Sequence, residues 1–140
     1  MNEPAVIVEM LRESKTIAVV GMSDKDSRAS YHIGKYLAQN SYRVVPVNPT
    51  VKSVLGMTCY PDLESAQKAV RAEGREIDLV DVFRAPQFVP PIVDDVIRLG
   101  IKYLWLQDGV VSHEAVNKAE AAGVKCVQND CIYRRHAQMF

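Results

Sequence analysis

The sequence predicts one α/β domain over residues 1–140, with a five-stranded, mainly parallel, doubly wound sheet and helices on both faces. Two observations predict this fold class. Short apolar runs rich in β-branched residues alternate with segments whose apolar residues recur at helical spacing. The connections are short, and no repeat, low-complexity tract or linker divides the chain. Strands that alternate with helices in this way form parallel sheets with right-handed crossovers.

The predicted elements begin with a short helix and the first strand. Asn2 is a suitable N-cap residue, and Pro4 suits the first helical turn. The apolar run at 16–20 is closed by Gly21, as expected for a strand that is covered on both faces. A second helix follows, for which Ser30 is a suitable N-cap residue.

The rest of the chain continues the alternation. Pro46 lies in the second strand, at 42–47, and proline cannot donate a ladder hydrogen bond, so this strand belongs at an edge or an end of the sheet. One helix begins near Asp62, another begins at Pro90, and Ser112 can cap a third. The remaining strands are expected at 77–83, 102–106 and 124–127.

Composition excludes several classes of protein. The 17 Lys and Arg residues balance the 17 Asp and Glu residues, whereas nucleic-acid surfaces concentrate cationic charge. A small polyanion needs only a few local donors and is not excluded. No stretch approaches the roughly 20 apolar residues that span a bilayer. Cys59, Cys126 and Cys131 form no Cys-x-x-Cys motif, so neither a disulfide scaffold nor a cysteine-built metal site is expected. With no secretory signal in the sequence, the expected location is the cytoplasm.

The loop after the first predicted strand has the chemistry of a phosphate site. Ligands of open α/β sheets bind beyond the carboxyl ends of the strands. Residues 21–30 lead directly into a helix N-terminus, where backbone N–H groups attract anions. Ser23 and Ser27 add hydroxyl groups, and Lys25 and Arg28 add positive charge.

Two features differ from a nicotinamide dinucleotide site. The next glycine after Gly21 is Gly34, inside the predicted helix, so the G-x-G-x-x-G spacing is not met. Asn48, Pro49 and then Lys52 follow the second strand, where an acidic residue would bind a ribose diol, and a basic residue there favours a phosphate. An NAD(P)-dependent oxidoreductase is therefore an alternative that the fold alone supports.

Six segments form a recognisable combination between Ala18 and Cys131. They are Val-Val-Gly-Met-Ser (19–23) with Arg28, Tyr-Arg-Val-Val-Pro-Val-Asn-Pro (42–49), Val-Leu-Gly-Met-Thr-Cys-Tyr (54–60), Asp-Leu-Val-Asp-Val-Phe (78–83), Leu-Trp-Leu-Gln-Asp-Gly (104–109) and Asn-Asp-Cys (129–131). With them the chain resembles the small stand-alone CoA-binding proteins, which are related to the N-terminal CoA-binding domain of the succinyl-CoA synthetase α subunit. The resemblance implies a Rossmann-like fold.

The resemblance also implies that the chain binds coenzyme A or an acyl-CoA without evident catalysis. The residues expected to hold the pyrophosphate and the adjoining ribose phosphate are Gly21, Met22, Ser23, Ser27 and Arg28. Those expected to flank the adenosine are Val47, Asn48 and Pro49, with Lys52 near the 3′-phosphate. Phe83 and Arg84 would wall the adenine or pantetheine side, and Gln107 would line the channel toward the thiol.

Other hypotheses are left open by the residues. The chain could be a regulatory or accessory subunit of an acyl-CoA ligase, with a protein partner or a second copy. Cys131, expected to be partly exposed at a strand's carboxyl end, could form a mixed disulfide with CoA. Asp81 is expected on the same strand face as Phe83, where it either orients a polar ligand group or makes a structural hydrogen bond.

Overall fold

A computed structural model describes residues 2–140, in which strands and helices alternate as the sequence predicts. The strands are β1 (Thr16–Val20), β2 (Arg43–Val47), β3 (Ser53–Val54), β4 (Met57–Thr58), β5 (Leu79–Val82), β6 (Tyr103–Leu106) and β7 (Lys125–Val127). The helices are α1 (Pro4–Glu13), α2 (Ala29–Gln39), α3 (Leu63–Ala72), α4 (Val89–Arg98), α5 (His113–Ala121) and α6 (Ile132–Met139). No helix within residues 2–140 has both the length and the apolar character needed to cross a membrane.

The main sheet has the strand order β2-β1-β5-β6-β7, and every neighbouring pair is parallel. The chain moves outward from β1 to β2, and it then returns to the other side of β1 with β5. This reversal places the topological switch point between β1 and β5, where open α/β sheets bind ligands. Pro46 lies on β2, at the edge of the sheet, as predicted.

The sheet is covered on both faces, which confirms the predicted fold class. One buried cluster joins the sheet to α3, α4 and α5, with members such as Val70, Val93 and Val116. The other joins it to α1, α2 and α6, with members such as Met10, Leu37 and Ile132. Because side chains alternate along each strand, successive residues contribute to opposite clusters, and the strands read as continuous apolar runs.

Two predicted helix starts are corrected. Glu3, not Asn2, occupies the N-cap of α1. The Asn2 side chain instead donates to the Gln128 carbonyl at 2.7 Å and accepts from its N–H at 2.9 Å, which ties α1 to the end of β7. Arg28, not Ser30, occupies the N-cap of α2, and the Ser30 hydroxyl accepts the Ser23 N–H of the preceding loop at 2.9 Å. Each polar side chain thus joins two segments rather than closing a helix end.

Two elements carried no sequence prediction. The antiparallel pair β3–β4 has two residues in each strand, which is too short for a periodic pattern. Its turn runs through Leu55 and Gly56, both at positive φ. Helix α6 is largely polar, and its buried residues are Ile132 and His136.

Candidate ligand-binding site

Three loops at the carboxyl edge of the sheet surround one cavity at the switch point. They follow β1, β2 and β5, which are neighbours in the sheet. The cavity has a volume of about 330 Å³, and its lining residues are Gly21, Arg28, Asn48, Pro49, Thr50, Phe83, Arg84 and Ala85. The structure therefore brings together six of the residues that the sequence singled out: Gly21, Arg28, Asn48, Pro49, Phe83 and Arg84.

Gly21 lies where the ends of β1, β2 and β5 come closest. Its N–H donates to the Val47 carbonyl at 2.8 Å. Its φ is +86°, and a Cβ at this position would lie 2.8 Å from the Phe83 carbonyl oxygen. Glycine is required here because any side chain would meet backbone atoms, and because L-residues are strained at this φ.

The loop after β1 is held by its own hydrogen bonds. The Lys25 N–H donates to the Ser23 hydroxyl at 3.0 Å, and the Arg28 N–H donates to the Lys25 carbonyl at 3.1 Å. Arg28 is the N-cap residue of α2 and lines one end of the cavity, so this end combines a positively charged side chain with the start of a helix, where the helix dipole is positive. This end of the cavity can therefore stabilise an anionic group.

Asn48 ties the loop after β2 to the loop after β1. Its side-chain amide donates to the Met22 carbonyl at 3.1 Å. The side-chain oxygen Oδ1 of Asn48 accepts from both the N–H and the hydroxyl of Thr50, at 3.0 and 2.9 Å. The Asn48 side chain therefore bonds to other residues of the protein. The adjoining Pro49 lines the cavity.

A second, more apolar cavity of about 200 Å³ adjoins the first across Pro49 and Arg84. Its other lining residues are Val20, Val47, Pro61, Asp62, Leu63, Phe88, Pro91, Ile92 and Asp95. The Arg84 guanidinium lies 4.2 Å from the centre of the Phe88 ring, so a cation–π contact forms the boundary between the cavities. Sequence reasoning did not select Phe88, although the Pro-rich segment at the start of α4 directly follows the selected Phe83 and Arg84.

Other predicted site residues lie elsewhere. Met22 is fully buried, and its thioether end fills the space that a side chain on Gly34 would need. Lys25, Ser27 and Lys52 are exposed and do not line either cavity, and neither does Ser23. Val47 lines the apolar cavity only.

Gln107 is buried and does not line either cavity. Its side-chain oxygen accepts the Ile132 N–H at 3.1 Å. A buried amide needs hydrogen-bond partners, and the first turn of a helix offers unpaired N–H groups. Because the sequence does not predict α6, it does not predict the hydrogen bond of Gln107 to the start of that helix either.

Two further expectations are corrected. Cys131 is buried, with 8% of its surface exposed, so the mixed disulfide with CoA loses its premise. Asp81 is fully buried and lines neither cavity, and neither of its carboxyl oxygens has a hydrogen-bond partner, so the expected structural hydrogen bond is absent. Cys126 lies in the core, as expected, and burial raises the pKa of its thiol to about 12.

Proteins of two different lengths are similar in sequence to this chain. The protein YneT of Bacillus subtilis (strain 168) is 32% identical over 133 residues, which cover 95% of this chain and 93% of YneT. The ADP-forming acetate–CoA ligase I of Archaeoglobus fulgidus is 28% identical over 135 residues, which cover 89% of this chain and 19% of the ligase. The chain therefore matches about a fifth of the ligase.

Solved structures share the whole fold. A protein from Pyrococcus horikoshii OT3 superposes with a TM-score of 0.87 at 35% identity, covering 98% of this chain and 92% of that chain. Prb, described as the PH1109 protein redesigned for binding, gives a TM-score of 0.91 at 33% identity over 99% of this chain and 93% of that chain. Residues 15–137 match the family model described as the CoA binding domain, and the chain belongs to this family of CoA-binding domains.

Proposed function

We propose that the chain binds coenzyme A or an acyl-CoA at the two adjoining cavities. One observation carries the proposal: Arg84 and Arg28, the N-cap residue of α2, both line a single cavity at the switch point of the sheet. The membership of the chain in a CoA-binding domain family supports the identity of the ligand.

The chemistry of the two cavities matches the two parts of this ligand. Arginine side chains and helix N–H groups favour the diphosphate, because charge-assisted hydrogen bonds are strong and the helix dipole favours anions. The apolar cavity, lined by side chains such as Val47, Leu63 and Phe88, suits a planar adenine or an alkyl arm. The ionisable residues of the polar cavity are two arginines, which supply charge but no general base, so we propose binding rather than catalysis.

Calorimetry with CoA and with dephospho-CoA tests the proposal. We expect saturable CoA binding that Arg28→Ala and Arg84→Ala each weaken by about 1–3 kcal/mol, the scale of one charge-assisted contact. Arg12→Ala is the matched control, because Arg12 is exposed near the end of α1, which leads into the opposite edge of the sheet.

Each other outcome has a defined meaning. Absence of binding to either ligand contradicts the proposal. Equal affinity for both ligands removes Arg28 and Lys52 from any role at the 3′-phosphate. Saturable NADPH binding tighter than CoA binding would favour the oxidoreductase alternative.

The cytoplasmic location stays a prediction from the sequence, to be checked by fractionation.

A second function is favoured by the match to the acetate–CoA ligase of Archaeoglobus fulgidus. In this alternative the chain is a CoA-binding subunit that works with separate ligase chains. Purification of the tagged chain from its native cell, followed by native mass spectrometry, tests it. Recovery of ligase-like chains in fixed proportion supports the subunit role, whereas a chain recovered with CoA alone supports a solitary binder.

A further inference from the structure

Asp81 places a carboxyl group in the middle of the sheet. It lies on β5, in register with Val19 on β1 and Trp105 on β6. In-register residues of parallel strands point to the same face, so the Asp81 side chain enters the cluster that contains Val19, Trp105 and Ile132. It is fully buried, and both of its carboxyl oxygens lack a hydrogen-bond partner.

The helices packed on this face offer Asp81 no compensating charge. The buried residues of α1 and α2 are not titratable: they are Ile7, Met10, Leu11, Ser30, Gly34 and Leu37. The titratable groups packed around this layer include Tyr31, Tyr36, Tyr42 and His136. Most of the ionisable groups here have other partners: Glu9 bonds to Lys125 and Tyr103, His136 to Tyr36, Tyr42 to the Leu11 carbonyl, and Asp130 to Arg134 and Arg135. Burial therefore raises the pKa of Asp81 well above its usual range.

An isolated carboxylate in such a place costs far more free energy than the neutral acid. We propose that Asp81 is a proton-operated switch beneath the ligand cavity: the carboxyl packs as the neutral acid, and loss of its proton to solvent separates the carboxyl-terminal ends of β1 and β5. Separation gives water access to the new charge, which relieves the desolvation cost.

The hydrogen bonds at the two ends of the β1–β5 pair favour opening at the end that borders the cavity. Asp81 lies two residues before Phe83, whose N–H donates to the Val20 carbonyl at 2.9 Å and whose carbonyl abuts Gly21. At the other end of the same strand pair, the Asp78 N–H donates to the Thr16 carbonyl at 2.9 Å. The Asp78 carboxylate also accepts the N–H groups of Lys15 and Thr16, at 2.9 and 3.0 Å, so this end is fastened more firmly.

Amide hydrogen exchange in the ligand-free chain, measured by NMR across the neutral pH range, tests the switch. The informative quantity is the exchange rate of the Phe83 amide divided by that of the Asp78 amide, each corrected for intrinsic exchange. We expect this ratio to rise by up to about tenfold per pH unit, because the opening releases one proton. In Asp81→Asn, which keeps the shape of the side chain but has no proton to lose, the ratio should stay constant.

A constant ratio in the wild-type chain overturns the proposal, since the two amides then respond only to opening of the whole sheet. A rise that persists in Asp81→Asn overturns it as well. If that variant fails to fold, infrared spectroscopy of the wild-type chain decides. The C=O stretch of a protonated carboxylic acid must disappear over the pH range in which the ratio rises, and its absence at the lower end overturns the proposal.

The effect on ligand binding rests on the proposed function, whereas the opening itself does not. Calorimetry across the same pH range should show CoA affinity falling with pH in the wild-type chain relative to Asp81→Asn. Equal pH profiles in the two proteins contradict the coupling to the cavity. Absence of CoA binding at every pH contradicts the proposed function but leaves the exchange result standing, so the two failures are distinguishable.

Discussion

At Gly21 one backbone unit joins three strands. The residue directly follows β1, bonds to the end of β2 through Val47, and faces the carbonyl of Phe83, the residue that follows β5. The floor of the ligand cavity is therefore backbone, and its shape depends on the absence of a side chain at this one position.

Gly21→Ala should destabilise the fold by about 2–4 kcal/mol, because the strain of a positive φ adds to a clash with a carbonyl that cannot rotate away. CoA binding should weaken with it, since Phe83 lines the cavity. Chemical denaturation and calorimetry measure the two effects. Gly56→Ala is the control: its φ is +75°, and a Cβ there meets nothing within 4 Å. Gly56→Ala should lower the free energy of unfolding by only about 1 kcal/mol. An equal decrease in the two variants would contradict a steric clash at Gly21.

For the cationic residues near the site, the sequence predicts the position in the fold but not the direction of the side chain. Lys25 and Arg28 follow the first strand and Lys52 follows the second, as the sequence predicts, and these two strands are neighbours in the sheet. Yet Arg28 lines the cavity while both lysines are exposed outside it. The direction of a side chain depends on loop hydrogen bonds such as those from Lys25 to Ser23 and from Ser23 to Ser30, which have no periodic signature in the sequence.

Among the elements, α6 depends on tertiary contacts rather than on its own sequence. Gln107 accepts its first free N–H, and Asp130 joins Arg134 and Arg135 at 3.0 and 2.9 Å. The Asp130 carbonyl accepts the Trp105 indole N–H at 2.9 Å, which fixes the loop before the helix to β6. The five strands of the main sheet were predictable because burial on both faces leaves a continuous apolar run. Helix α6 was not, because side chains from other elements hold it in place.

Asp130→Asn should loosen α6 and lower the free energy of unfolding by about 1–3 kcal/mol at neutral pH, the cost of losing hydrogen bonds to a charged group. Burial alone would raise the pKa of the Asp130 carboxyl, but Arg135, the Cys131 N–H and Arg134 outweigh it and hold the pKa below its usual range. The stabilisation is therefore complete above the unfolded-state pKa of about 3.9. It disappears as pH falls through the lower folded-state value.

Denaturation curves at neutral and at acid pH measure the effect of Asp130→Asn. Asp94→Asn is the control, because Asp94 forms an exposed ion pair with Lys118 at 2.7 Å and should contribute little. A deficit in Asp130→Asn that stays unchanged in strong acid would contradict a charge-dependent role.

At the scale of the whole molecule, the 17 basic and 17 acidic residues cancel. The polar cavity does not share this balance, whereas the adjoining apolar cavity is also lined by Asp62 and Asp95. The ionisable residues of the polar cavity are Arg28 and Arg84, whereas other acidic residues pair with cations on the helix faces, such as Glu64 with Arg98 and Asp94 with Lys118. The ligand-free protein should therefore show little dependence of stability on salt, while binding of a polyanion should depend on it strongly.

Raising salt from 0.1 to 1 M shortens the Debye length from about 10 Å to about 3 Å. CoA affinity should consequently fall across this range, because screening weakens the attraction between the phosphates and the two arginines. In Arg28→Ala the slope of log Kd against log salt should be shallower, since one cation no longer contributes. Arg12→Ala, at the opposite edge of the sheet, should keep the wild-type slope. Calorimetric titrations at several salt concentrations measure these slopes, and identical slopes in all three proteins would show that Arg28 makes no electrostatic contribution to binding.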